Sequence, residues 1–164
     1  MLTNHARLMQ FFSVAKEITG RKKMQKMIYI LQKSNVPFEE KFHFHFYGPY
    51  SEELTLRVEE LYNLGFLNET KEDKGNYSRY HYTITSEGET FLEQFSVEMP
   101  AISGRVEMLQ HFSSRFLELV ATMLYFDDLS FDQMVEKIHR VKGKQNYTDE
   151  EMQTALSVID GMKH

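Results

Sequence analysis

The sequence predicts an α+β, mostly helical fold: a helix–strand–helix–hairpin–helix core followed by a C-terminal helical extension. Three observations carry this reading. Apolar residues recur at helical spacing through residues 4–16, 21–33 and 52–64. Strict alternation marks strands at 41–47, read KFHFHFY, and at 79–84, where Tyr80, Tyr82 and Ile84 take every second place. Hydroxyl residues set three places before Glu or Gln then open helix after helix in the second half, at Ser86 with Glu89, Ser130 with Gln133 and Thr148 with Glu151.

The elements follow in order. The first helix, 4–16, turns Leu8, Phe11, Phe12 and Ala15 to one side, and Gly20 breaks the chain after it. The second, 21–33, shows Met24, Met27, Ile28 and Leu31 on one face, with Lys22, Lys26 and Lys33 opposite. Residues 35–37 end it. The strand at 41–47 is expected to turn Phe42, Phe44 and Phe46 inward and His43 and His45 outward. Gly48-Pro49 is a turn, and Ser51 caps a third helix, 52–64, whose buried stripe is Leu54, Val58, Leu61 and Tyr62. A strand at 66–70, a turn at Asp73-Lys74-Gly75-Asn76 and the strand at 79–84 make an antiparallel hairpin. Thr85 or Ser86 caps the next helix, which carries Phe91, Leu92 and Phe95.

Pro100 divides the chain into a core domain, 1–98, and a helical extension, 99–164. Residues 101–126 read as one helix, roughly 39 Å long at about 1.5 Å per residue. Ile102, Val106, Leu109, Phe116, Val120 and Met123 form a near-heptad seam on it, broadened by Met108, Phe112, Leu119 and Leu124. A helix apolar on several sides must be buried on several sides, so a homodimer joined through 101–126 is expected; a closed helical cap on a monomer is the alternative.

Composition narrows the function. The chain has 164 residues, 41% hydrophobic and 26% charged, which is ordinary globular composition. It contains no cysteine, which removes disulfides, thiolate nucleophiles and zinc–thiolate sites and fits a reducing, cytoplasmic location. No apolar run approaches the roughly 18 residues needed to span a bilayer, and no signal-peptide pattern opens the chain. The net charge is −5, with 12 basic and 14 acidic residues in 1–98 and 7 and 10 in 99–164, so neither segment has the basic excess of a nucleic-acid-binding domain.

Two phrases resemble winged-helix regulators. In LYNLGFLNE, residues 61–69, a helix ends in Leu-Gly-Phe-Leu and enters a strand. In YTITSEGETFLEQF, residues 82–95, a wing strand passes into a helix through a Thr-x-x-Gly step at Thr85 and Gly88. The whole chain resembles the YwgA-like family of uncharacterised bacterial proteins, through RKKMQKMIYILQKS and HFHFYGPYSEELTLRVEELYNLGFL. A fainter similarity, carried by the Lys-x-x-Lys helix and Tyr-Gly-Pro, is to the antitoxin-like domain called Panacea. The resemblance implies the winged-helix-type core; it assigns no activity.

The residues themselves weigh against catalysis. No Gly-x-Ser-x-Gly, phosphate-binding loop, His-Glu-x-x-His or dinucleotide fingerprint occurs. His43, His45 and a neighbouring His81 could hold a metal, but zinc wants further ligands and the strand supplies no acid; solvent-facing histidines are the simpler reading. Asp127 and Asp128 read as turn residues. No catalytic residue and no cofactor are therefore expected.

Binding surfaces remain. Arg21, Lys22, Lys23 and Lys26, with Lys33, form a stripe that could lie along phosphates or be a solvated face. The helix before the hairpin, which in a winged helix enters the major groove, carries Glu52, Glu53, Glu59 and Glu60 against Arg57 alone and would be repelled by DNA. Glu52 and Glu53 suit a helix N-terminus; Glu59 and Glu60 have no such reason. Leu56 stands among them without a buried role. The expected function is that of a non-catalytic regulatory or adaptor protein binding another macromolecule, protein ahead of DNA, with Glu52, Leu56, Glu59 and Glu60 as the contact. The alternative is a dimeric winged-helix DNA-binding transcription regulator using the basic stripe or Lys71, Lys74 and Arg79. A metal-dependent enzyme ranks third.

Overall fold

A computed structural model describes residues 2–46, 48–95, 97–100 and 102–162. Tyr47, expected to end a strand, and Ala101, expected to open the long helix, lie outside the described residues. The first element, α1 (Thr3–Ala15), buries Leu8, Met9, Phe11 and Phe12. Lys16 then takes a positive φ of 68° and starts β1 (Glu17–Thr19), a short strand the sequence pattern does not announce. Next comes α2 (Arg21–Lys33), with the bounds its periodicity predicts.

The helix α2 is buried on more than one face. Beyond Met24, Met27, Ile28 and Leu31, it encloses Gln25, Lys26, Tyr29 and Ile30. It lies against β1 on one side and, on the other, against α5 (Ser103–Gln110) and α6 (Ser114–Tyr125). A helix covered all round is a central core helix. Accordingly the buried residues form one contiguous cluster from Ala6 to Met162 that includes Leu117, Leu119, Val120 and Met123 of α6.

Two small antiparallel sheets flank this core. Strands β4 (Leu67–Asp73) and β5 (Ser78–Ile84) pair as predicted, in the register Leu67↔Ile84 to Asp73↔Ser78, and β1 adds to the far edge of β5. Leu67 and Tyr82 are buried, so the predicted inward side of the hairpin is confirmed. The second sheet pairs β2 (His43–His45) with β3 (Gly48–Tyr50). Its outer side carries exposed His43 and His45, as expected. Phe42 and Phe44 are half-buried, packing on Tyr29 at 4.9 Å and Tyr125 at 5.0 Å. Phe46 departs from the expectation: it is 81% exposed, because the strand has already ended at His45.

The helix α3 (Glu52–Asn63) starts on Ser51, whose hydroxyl accepts from the Leu54 amide at 3.0 Å. Gln25 locks that start from within the core. Its amide nitrogen donates to the Ser51 carbonyl at 2.8 Å, and its amide oxygen accepts from the Ser51 N–H at 2.9 Å. Helix α4 (Ser86–Gln94) is capped by Thr85, which accepts from Gly88 N–H at 3.0 Å; Ser86 is inside the helix. Gly88 is needed for closeness rather than for a left-handed backbone: a Cβ there would lie 2.4 Å from the Phe66 carbonyl oxygen and 2.7 Å from Met9 Cε. The left-handed glycine of this region is Gly65, at φ 83° after α3.

The expected single helix over 101–126 is two. Helix α5 ends near His111, and Ser113 restarts the chain as the cap of α6, accepting from Phe116 N–H at 3.1 Å. Breaking there folds α6 back along α2. Five of the six expected seam residues, Ile102, Val106, Leu109, Val120 and Met123, are buried within the single chain, and Phe116 is partly covered. Helix α7 (Phe131–Val141) opens with the predicted reciprocal capping of Ser130 and Gln133, and α8 (Asp149–Met162) with that of Thr148 and Glu151. No helix of the described residues is long and apolar enough to cross a membrane.

Charge is buried where α2 meets α6. Lys26 is 1% exposed and donates to the Pro49 carbonyl at 2.7 Å. Lys142, just past α7, donates to the Phe46 carbonyl and lies 3.8 Å from the Glu118 carboxylate, which also accepts from Tyr147 Oη at 3.1 Å. Two ammoniums thus suspend the β2–β3 turn from the core. Burial pushes the Lys26 ammonium down to about 8; Glu118 opposes that shift, while Lys142 and Lys22 add to it.

Two stability predictions follow from this packing. Gly88→Ala should destabilise the fold by roughly 1–3 kcal/mol, because the methyl group meets backbone that cannot swing away; the denaturant midpoint checks it. Between pH 8 and 10.5 the unfolded chain holds a proton on Lys26 that the folded chain has lost, so stability rises with pH across that window. Relative to Lys26→Met, the unaltered protein should gain on the order of 3 kcal/mol from pH 8 to 10.5, read from paired urea titrations. Parallel curves would show that Lys26 stays charged in the fold.

Candidate functional site: the outer face of α3 and the groove at its foot

The geometry of α3 begins with its inner side. Leu54, Val58 and Leu61 are at most 3% exposed, and this fixes which residues turn outward. Glu52, Leu56 and Glu59 fall on the outer stripe at helical spacing, with Leu56 59% exposed. Tyr62 was expected in the buried stripe; it is 45% exposed at the margin, because the helix stops at Asn63 and nothing covers its last turn on that side.

The five charged side chains of α3 have different fates. Arg57 reaches the buried Glu40 carboxylate and also Glu53, 3.2 Å away. Desolvation raises the Glu40 pKa, and the neighbouring Arg57 opposes that rise. Glu60 accepts from His5 of α1 at 2.7 Å. Glu52 and Glu59 make no ion pair among the described residues. Of the four predicted contact residues, the fold therefore brings Glu52, Leu56 and Glu59 together on one solvent-facing stripe and turns Glu60 toward α1.

Beside Glu59 opens a groove of about 330 Å³, bounded by α3, the first turns of α2, and the β4–β5 hairpin. Met24, Val58 and Tyr82 make its walls, and Tyr62, Glu59, Glu69 and Arg21 reach its rim. Glu69 accepts from Tyr82 Oη at 2.7 Å and lies 3.5 Å from Arg21. Arg21 also donates to Tyr82 Oη at 3.0 Å and stacks on the Tyr80 ring at 3.7 Å. Burial raises the Tyr82 phenol pKa, with its bond to Glu69 adding to the rise.

The predicted phosphate stripe does not assemble. Lys26 is inside the protein, held on the Pro49 carbonyl, where a phosphate backbone cannot reach it. Lys23 is half-buried and donates to the Gln110 carbonyl at 2.7 Å. Arg21 and Lys22 are exposed, and Arg21 is engaged by Tyr82, Glu69 and Tyr80. In the hairpin, Lys74, Arg79 and His81 all converge on Glu72, whose carboxyl they hold well below the usual range, the His81 hydrogen bond first; Lys71 is exposed.

Nor do the histidines meet. His43 and His45 sit on the β2–β3 sheet, whereas His81 is in the other sheet, bonded to Thr19 and facing Glu17 and Glu72. Among the described residues no group of three His, Asp or Glu side chains is placed to hold a metal. Asp127 and Asp128 lie in the turn after α6, with Asp127 3.5 Å from Lys33.

Sequence reasoning missed two constellations. The groove joins distant parts of the chain, Arg21 and Tyr82 being 61 positions apart, and its Arg21–Tyr82–Glu69 contacts depend on how α2 docks on the hairpin. The buried Lys26–Glu118–Lys142–Tyr147 cluster had one readable signal: apolar residues on α2 run almost all round the helix, which leaves Lys26 no open side.

No known protein-family profile matches the chain. The uncharacterised protein YwgA of Bacillus subtilis (strain 168) is 54% identical to it over 163 residues, which cover 99% of this chain and 98% of that protein. An alignment of that depth over nearly the whole length leaves the extension as much a part of the likeness as the core, and the chain belongs to the YwgA-like family.

Proposed function

We propose that this chain is a winged-helix-type, non-catalytic regulatory or adaptor protein that docks another protein through the outer face of α3. The observation that carries the reading is the Glu52–Leu56–Glu59 stripe, an exposed leucine between two carboxylates that have no ion-pair partner among the described residues. An apolar anchor inside a charged rim is the usual make-up of a protein contact. The same stripe repels a phosphate backbone. Three of the cations that could offset it are engaged within the fold, Lys74 and Arg79 at Glu72 and Lys26 on the Pro49 carbonyl. The order α2, the β2–β3 strand pair, α3, the β4–β5 hairpin and α4 is what supports the winged-helix description.

Burial of the 101–126 seam inside one chain removes the support for a dimer through it, and the expected species is a monomer of 19.5 kDa. Light scattering at micromolar concentration should return that mass. For the docking face, the tagged protein and its Leu56→Asp variant are compared for partner retention from the native cell. A partner held by the unaltered chain should be weakened at least tenfold by Leu56→Asp, with the melting temperature nearly unchanged because the site is exposed. A partner indifferent to that change would sink the reading. Duplex DNA should bind no tighter than the nonspecific range, Kd on the order of 10⁻⁴ to 10⁻⁶ M at physiological salt. Tight, sequence-selective DNA binding would favour the dimeric regulator instead.

A further inference from the structure

The groove at the foot of α3 is not charge-balanced. Arg21 and Glu69, on one rim, neutralise each other, and Glu69 is held further by the Tyr82 hydroxyl. Glu59, which also lines the groove, makes no ion pair among the described residues. One negative charge is therefore left over, beside the ring of Tyr62, above walls made by Met24 and Val58. An aliphatic wall leading to an aromatic face and a free carboxylate is the environment in which a long cationic side chain buries its stem and keeps its charge satisfied. The volume, about 330 Å³, is at the bottom of the range of roughly 300–1,000 Å³ that ligand pockets span, which suits one side chain better than a larger molecule.

We infer that this groove receives a lysine or arginine side chain of the partner protein, its charged end on Glu59 and its stem on Met24, Val58 and Tyr62. The inference rests on α3 being a protein-docking face, and it names the chemistry of the docked segment: a basic residue set beside an apolar one that meets Leu56. Charge complementarity selects it. An anion would face the surplus carboxylate, and an uncharged apolar side chain would leave Glu59 desolvated without a partner.

The test uses the full chain and three small probes: N-acetyl-argininamide, N-acetyl-lysinamide and N-acetyl-norleucinamide, the last keeping a comparable stem without the charge. Backbone amide shifts are followed by NMR during each titration. The two cationic probes should give saturable shifts at Glu59, Tyr62, Glu69 and Tyr82, with the norleucine probe at least fivefold weaker. Glu59→Gln should reduce cation binding by a similar factor and leave the norleucine probe unaffected. Equal response to all three probes, no saturable response at these residues, or cation binding that survives Glu59→Gln would each overturn the inference. The outcomes separate from those for the docking face. A silent groove with a partner still lost on Leu56→Asp discards only the cation pocket, whereas a filled groove with a partner indifferent to Leu56→Asp discards only the docking stripe.

Discussion

The enclosure of α2 governs the architecture. This helix packs against β1, β3, α5 and α6, and most of its length is removed from water. Two polar side chains are carried inside with it, and each is used to fix another element. Gln25 makes a reciprocal pair with the backbone of Ser51 and so sets where α3 begins. Lys26 holds the Pro49 carbonyl and so sets where the β2–β3 turn lies. The exposed stripe of α3 has its direction because its first turn is tied to a residue that cannot move.

The charge buried with Lys26 is costly by itself. A lysine in the interior loses hydration, and that loss is the main cause that lowers its pKa. Glu118 returns part of it, and Tyr147 and Lys142 complete the ring of polar groups. Such clusters stabilise less than a well-packed apolar core would, but they constrain geometry. The segment they hold is short, with the Phe46 side chain exposed and Gly48 and Pro49 buried. Backbone carbonyls at both Phe46 and Pro49 are gripped by ammoniums from α2 and from the end of α7, so the extension positions a loop of the N-terminal segment.

At the surface, charges are distributed unequally. The hairpin gathers three basic side chains around Glu72, and α2 turns two of its four leading cations inward. On α3, Glu53 and Glu60 find partners in Arg57 and His5, but Glu52 and Glu59 do not. These two carboxylates flank the exposed Leu56, and Glu59 also lines the groove.

What the sequence determined by itself is what depends on neighbours close along the chain. The bounds of α2, the caps at Ser51 and Ser113, the paired caps at Ser130–Gln133 and Thr148–Glu151, and the antiparallel pairing of β4 with β5 across a short turn depend on residues close along the chain, and all but the Ser113 cap were legible; for α4 the sequence offered Thr85 or Ser86, and the fold uses Thr85. Ser113 was not, because no glycine or proline marks the break and the apolar pattern runs on across it. Tertiary structure decided the rest. Periodicity says that a face is apolar but not what covers it, so the seam of 101–126 could point to a second copy when α2 was already waiting to fill it. Lysine has an aliphatic stem and a polar tip, so Lys26 could read as solvent-facing until Pro49 and Glu118 came within reach from distant parts of the chain. The surplus charge of Glu59 is a tertiary fact for the same reason, since whether a carboxylate is paired depends on which cations the fold has already used.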